Sequence, residues 1–222
     1  MRVRGTHYQE AIDHLPEGAI LVLQDVAWKD YEQLLDDVGS RRPGLRMTYD
    51  QGRLEVMSPL RKHEKCKDFV TLLVHVFADE LHIPLECSGS TTWKNKKNLS
   101  GFESDTCFHI AHAQDVIGKE ELEIGVDPPP DLAVEVDVTN ESASKFPLYA
   151  AFGVPEIWRY VSKRKVCFFY ELRGDSYTEI PASLSFPMLT PDVLAAFIEK
   201  AGTIGQTEAL NEFRRWVREH RR

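Results

Sequence analysis

Two short segments of this 222-residue chain carry carboxylates at a spacing that can do chemistry. In PPPDLAVEVDVT the two-residue period of a strand sends Leu132, Val134, Val136 and Val138 to one face and Asp131, Ala133, Glu135 and Asp137 to the other. In DTCFHI the same rule groups Asp105, Cys107 and His109 against Thr106, Phe108 and Ile110. Acidic residues are poor strand formers and like charges two apart repel, so an acidic strand face calls for compensation. If the two strands are neighbours, Asp105 and Glu135 converge on a hard, oxygen-rich site suited to Mg2+ or Mn2+. A dication held by two carboxylates and a backbone carbonyl acidifies water and polarises a phosphodiester oxygen. Lys145, ten residues beyond Glu135, could orient the attacking hydroxide or offset developing negative charge. The competing reading is a solvated acidic face with a purely structural role.

These residues need elements to hold them. Phe69, Leu72, Leu73, Val76 and Phe77 fall on one helical stripe, predicting a helix that starts after Ser58 and Pro59 and ends near Leu81, with His63 and Glu64 at its start. Before it, MTYDQGRLEVMSP reads as a hairpin turning at Asp50, Gln51 and Gly52, preceded by a helix over 26–38. A strand is expected from Leu85 to Trp93, followed by the polar segment KNKKNLSG, in which Lys94, Lys96 and Lys97 suit either a solvated loop or a phosphate contact. SASKFPLYAAFG predicts a helix closed by Gly153, and EIWRYVS with KVCFFYEL predicts a hairpin around the basic turn Lys163, Arg164, Lys165. Trp158 and Tyr160 on that hairpin read as packing residues in preference to a base-stacking platform. Thr190 with Pro191 caps a further helix. The last helix places Glu208 and Glu212 early and Arg214, Arg215, Arg218, Arg221 and Arg222 late, an order that complements its dipole.

The segments GRLEVMSPLRKHE, FESDTCFHI, PPPDLAVEVDVT and KFPLYAAFGVPEIWRY, with Asp105 and then Glu135 on successive strands followed by a helix, resemble the PD-(D/E)XK nuclease superfamily. Within it they resemble the Uma-type family of restriction-endonuclease-like proteins, over residues 45 to 175 or so. The resemblance implies an α/β (α+β) fold, a restriction-endonuclease-like mixed β-sheet of four or five strands flanked by helices. It also implies a Mg2+- or Mn2+-dependent endonuclease, a hydrolase acting on DNA phosphodiester bonds. By the same resemblance Asp105 and Glu135 bind the metal, the Val136 carbonyl is a third ligand, and His63 or Glu64 supplies a further catalytic group. Two positions depart from the superfamily motif: Ser104 stands where it has proline, and Asp137 stands where it has lysine. An acid cannot donate a lysine's charge. In the Uma-type pattern the lysine comes from the next helix, where Lys145 matches, leaving Asp137 as an additional metal-site acid or a partner of Lys145. Asp131 fits a turn cap as well as it fits catalysis.

Composition bounds the rest. The 27 Lys and Arg against 35 Asp and Glu give a net charge of −8, which argues against coating nucleic acid by bulk electrostatics and leaves local sites open. The longest apolar runs are far short of the roughly 18 residues needed to cross a bilayer, and the polar start has no signal-peptide core, so a soluble, cytoplasmic protein is expected. Cys66, Cys87, Cys107 and Cys167 lack paired metal-ligand spacing and read as buried free thiols. The expected organisation is an N-terminal extension over 1–44, a nuclease-like core over 45–180, and C-terminal helices over 181–222 packed on the core. A homodimer would let two sites address two strands. A second class of function, a non-catalytic nuclease-fold module that binds nucleic acid or protein, retains the acids as a surface feature.

Overall fold

A computed structural model describes residues 4–42, 44–120, 122, 125–138 and 142–221. In chain order the elements begin α1 (Arg4–Asp13), β1 (Ile20–Leu23), α2 (Trp28–Arg41), β2 (Arg46–Asp50), β3 (Arg53–Met57) and α3 (Arg61–Leu81). There follow β4 (Glu86–Gly89), β5 (Thr92–Asn95), β6 (Ser100–Glu103), β7 (Thr106–His109) and the short α4 (Ala113–Val116). Next come β8 (Leu132–Asp137), a 3-10 turn (Ser142–Lys145), α5 (Phe146–Phe152), β9 (Glu156–Val161), β10 (Val166–Arg173) and β11 (Ser176–Ile180). The last two helices are α6 (Pro191–Ile204) and α7 (Gln206–His220). The fold is mixed α+β, with two sheets and flanking helices.

The chain forms two compact units, one from Met1–Arg61 with Thr92–Glu103 and the other from Lys62–Thr91 with Ser104–Arg222. The first contains an antiparallel sheet in the order β1-β3-β2-β6-β5. Its β2–β3 hairpin turns where expected, with Gln51 and Gly52 both left-handed (φ 44° and 98°), the backbone a tight two-residue hairpin turn requires. Tyr31 from α2 stacks on Tyr49 at 4.7 Å between ring centroids. The expected strand over 85–93 divides instead at Gly89, whose φ of 55° turns the chain, so that β4 and β5 enter different sheets. The lysine-rich segment is the β5–β6 hairpin, where the Asn95 side chain accepts the N–H groups of Lys97 (3.0 Å) and Asn98 (3.3 Å).

The second unit contains a sheet in the order β11-β10-β9-β8-β7-β4, with six strands where four or five are expected. The added strand is β11, reached through a turn at Gly174 (φ 66°). Every pairing is antiparallel except β8 with β9. That exception follows from the connection, since a parallel neighbour needs a crossover, here the 3-10 turn and α5. One sheet face, with Val134, Val136, Trp158, Tyr160, Cys167 and Phe169, forms a continuous core with α3, α6 and α7. Trp158 and Tyr160 are therefore core residues, as their alternation suggests. The buried stripe of α3 is Phe69, Val70, Leu73, Val74, Val76 and Phe77, and Leu72 is 41% exposed. At 100° per residue, the burial of Val70 and Val74 turns the helix so that Leu72 falls outside the contact arc.

Thr190 caps α6 as expected, its hydroxyl accepting the Val193 N–H at 3.5 Å. The arginines of α7 have a specific partner: Arg214 and Arg218 reach the buried Glu80 carboxylate at 2.6 and 2.7 Å, and Arg221 donates to the Glu80 carbonyl at 2.9 Å. They tie the last helix to the end of α3. Arg222 lies outside the described residues. Cys107 and Cys167 are buried thiols outside any disulfide, Cys66 is half-buried, and Cys87 is exposed on β4, an edge strand.

Candidate active site

The β7–β8 register decides whether the two acids meet. Thr106 pairs with Val134, Cys107 with Ala133 and Phe108 with Leu132. Continued by one residue, this antiparallel register sets Asp105 opposite Glu135, and residues opposite one another project to the same side of a sheet. Both are almost fully buried, at 1% and 2% exposure. Their charges act on one another and on the same lysine: Asp105 raises the Glu135 pKa, and Lys145 lowers both.

Asp105 is anchored by one oxygen. Its Oδ2 accepts the Val136 N–H at 2.7 Å and faces His63 Nε2 at 2.9 Å. Among the described residues its Oδ1 is buried without a hydrogen-bond partner. Burial pushes this carboxyl upward, but the hydrogen bond and charge of His63, the charge of Lys145 and the Val136 N–H outweigh it and hold Asp105 ionised. His63 is placed by the first turn of α3, with Nδ1 3.2 Å from Glu64 Oε1. Burial pulls the imidazolium down, yet hydrogen bonds to Asp105 and Glu64 prevail and set its pKa at about 9. Glu64 is half-buried and also accepts from Lys67 at 2.7 Å.

Glu135 is held from the opposite side by the crossover. Lys145 Nζ lies 3.2 Å from Oε1 and 3.1 Å from Oε2, and the Tyr149 hydroxyl donates to Oε1. Burial raises the Glu135 pKa to about 7, with Asp105 adding to the rise and Lys145 and Tyr149 opposing it. Tyr149 itself is held well above its ordinary value by burial and by the adjacent Glu135 charge. Sequence reasoning passes over Tyr149, although the spacing of Lys145 and Tyr149, four residues apart, sets both on one helical face. The fold thus brings together Asp105, Glu135, Lys145, His63 and, through His63, Glu64.

Asp137 is engaged elsewhere. Its Oδ1 accepts the Ser142 N–H at 3.0 Å and its Oδ2 pairs with Arg159 at 2.6 Å. It fixes the 3-10 turn that carries Lys145. Asp131 caps the turn after β7, accepting the N–H groups of Ile110 (2.7 Å) and His112 (3.1 Å) and pairing with His112 Nδ1 at 2.6 Å. Ser104, at the superfamily's proline position, is fully buried with an unpartnered hydroxyl. Lys94, Lys96 and Lys97 belong to the first unit.

Among the described residues no group of three or more His, Cys, Asp or Glu side chains is arranged to hold a metal ion. A dication would therefore need the two acids together with backbone or solvent oxygens. The donor set fits: among the described residues Asp105 Oδ1 is a buried carboxylate oxygen without a hydrogen-bond partner, and Glu135 Oε2 has only Lys145 as a partner. Hard, oxygen-only coordination of this kind suits magnesium or manganese. Among the described residues no helix is long and apolar enough to cross a membrane.

The family model described as "Uma2: Putative restriction endonuclease" matches residues 28–199. No curated protein matches the chain. A crystal structure of "a putative nuclease belonging to DUF820" from Anabaena variabilis is similar, with 16% sequence identity, a TM-score of 0.49, and coverage of 68% of this chain and 90% of that one.

Proposed function

The chain belongs to the Uma2 family of restriction-endonuclease-like proteins, and on that premise we propose that it is a divalent-cation-dependent nuclease hydrolysing phosphodiester bonds of DNA. The observation that carries this reading is the buried pair Asp105 and Glu135, with one unpartnered carboxylate oxygen and a lysine ammonium beside it. In this reading Asp105 Oδ1 and Glu135 hold magnesium or manganese. The Val136 carbonyl joins them, because the N–H and C=O of one strand residue point to the same neighbour and the Val136 N–H points at Asp105. When bound, the ion supplies positive charge that polarises the phosphodiester and acidifies water.

The chain's own residues prepare the rest. His63 and the Val136 N–H occupy Oδ2 of Asp105 and leave Oδ1 available to a ligand. With a pKa of about 9, His63 is an imidazolium at neutral pH, a fixed cation and not a base. Lys145 spans both oxygens of Glu135, where its ammonium favours the charged carboxylate and faces negative charge developing on the phosphate. Tyr149 fixes Oε1, leaving Oε2 as the oxygen nearer to free. Asp137 enters this reading as the strut for Arg159 and the lysine-bearing turn.

Glu135→Gln tests the assignment: it is expected to abolish Mn2+-stimulated cleavage of plasmid DNA while leaving the far-UV circular dichroism unchanged, and undiminished cleavage would overturn it. A second reading, a non-catalytic module, treats the Lys145–Glu135 ion pair as structural compensation of a buried acid. A thermal shift on adding millimolar Mg2+ or Mn2+ supports the nuclease, and no shift supports the module.

A further inference from the structure

Glu135 opens a row of side chains crossing the second unit's sheet on one face. The register sets Arg159 beside Glu135 and Phe168 beside Arg159. Paired residues share a face, and neighbouring strands lie about 4.8 Å apart, so Phe168 stands roughly 10 Å across the strands from Glu135. The row leads away from the candidate active site into half-exposed aromatic surface. Phe168 and Tyr170 are half-exposed neighbours on β10, their rings 6.3 Å apart and 31° from parallel. Phe146, next in sequence to Lys145, packs edge-on to Tyr170 at 4.9 Å. The stripe thus runs from beside the lysine of the site to β10.

The end of the stripe is positively charged. The β9–β10 turn carries Lys163, Arg164 and Lys165, all exposed, and Arg164 lies over the Phe168 ring at 5.5 Å from its centroid. Lys165 pairs with Glu199 at 2.6 Å. Among the described residues Lys163 and Arg164 have no carboxylate partner. Arg159, between Phe168 and Glu135, is neutralised by Asp137. A flat ring with Arg164 over it and a second exposed cation, Lys163, in the same turn complements a ligand that is both aromatic and anionic. An unpaired nucleotide strand has that chemistry: its bases expose π-faces and its backbone one charge per residue. In a duplex those faces are covered by stacking. An exposed cation–π contact is weaker than stacking of a base on a ring, so Arg164 can yield the Phe168 face and take the adjoining phosphate.

We propose that Phe168, Arg164 and Lys163 form a docking track for single-stranded nucleic acid, with a base flanking the cleaved bond stacked on Phe168 and its phosphates held by the two cations. The position of the cleaved bond rests on the nuclease reading; binding to the track does not. The test uses the full chain carrying Glu135→Gln, so that substrate stays intact, and fluorescence anisotropy of a labelled twelve-nucleotide single strand and its duplex. The single strand is expected to bind more tightly. Phe168→Ala is expected to weaken it roughly 5- to 150-fold, the range for losing one base–aromatic stack. Phe168→Leu, which keeps an apolar side chain and removes the ring, is expected to weaken it similarly and guards against misfolding. Two phosphate contacts predict a log–log salt slope of about −1.4, falling by about 0.7 in Lys163→Ala and in Arg164→Ala. Tighter duplex binding, no binding at all, or single-strand affinity within twofold in both Phe168 variants would overturn the proposal. Plasmid nicking by the unaltered chain separates the two claims. Absent nicking with ring-dependent binding sinks the nuclease reading alone; nicking with ring-independent binding sinks the track alone.

Discussion

Removing one hydroxyl should expose how Glu135 is tuned. In Tyr149→Phe the carboxylate loses the donor to its Oε1, while Lys145 Nζ remains 3.2 Å from that oxygen. A hydrogen bond to a charged group contributes about 1.5–3 kcal/mol to stability. Because the acceptor keeps its lysine, the lower part of that range applies, about 1.5–2 kcal/mol. For a domain of this size that lowers the melting temperature by roughly 3–8 °C. The sign on the acid is fixed by chemistry: Tyr149 donates to the ionised form, so losing it moves the Glu135 pKa upward from about 7. At about 1.4 kcal/mol per pH unit, the acid limb of cleavage should move up by about one unit. The assay is the rate of Mn2+-stimulated oligonucleotide cleavage from pH 5.5 to 9, with a thermal melt of the same preparations. A lowered melting temperature with the acid limb unmoved, or moved down, would refute the tuning role and leave Tyr149 as packing.

The buried histidine gives a pH signature to the metal-free protein. The His63 pKa rises from 6.5 to about 9, so its contribution is full below 6.5 and lost as pH climbs through 9. The urea midpoint measured in chelator should fall across that window, and His63→Gln should flatten the fall. The Glu80 carboxylate, hydrogen-bonded by Arg218 and Arg214, is held at about 2 against an ordinary 4.5. Its contribution is full above 4.5 and lost as pH falls toward 2, so Glu80→Gln should remove that acid sensitivity and speed amide exchange in α7. In the first unit, a Cβ on Gly101 would sit 2.5 Å from the Tyr31 hydroxyl. Gly101→Ala should therefore cost about 1–3 kcal/mol in urea unfolding, the range for overpacking. Tyr31→Phe, which removes a hydroxyl that has no partner, should recover part of that loss.

Local pattern made much of the second unit legible. The helical stripe of α3, the Pro191 and Thr190 start of α6, the Gly153 stop of α5 and the β9–β10 hairpin follow from periodicity and from backbone preferences of single residues, and all stand in the fold. Where sequence reasoning failed, a non-local choice was made. Leu72 satisfies the stripe equally well, but burial of Val70 and Val74 decided the rotation of α3. The segment 85–93 reads as one strand because nothing in its composition records that its halves join different sheets. The arginines of α7 suit the helix dipole, but their partner Glu80 is more than 130 residues away.

The acids followed the same division. Period two alone puts Glu135 and Asp137 on one strand face, and it does so whatever surrounds them. Which of them shares a site with Asp105 depends on the β7–β8 register and on where the crossover leaves Lys145, Tyr149 and Ser142, and those are properties of packed neighbours. The sequence by itself determined which elements form and which residues lie on one face, because those depend on contacts within a few residues. Only the tertiary structure decided that Asp105 keeps a bare oxygen, that Glu135 is poised near neutral pH, and that Asp137 is bound to Arg159, because burial and charge pairing are set by chains meeting from far apart.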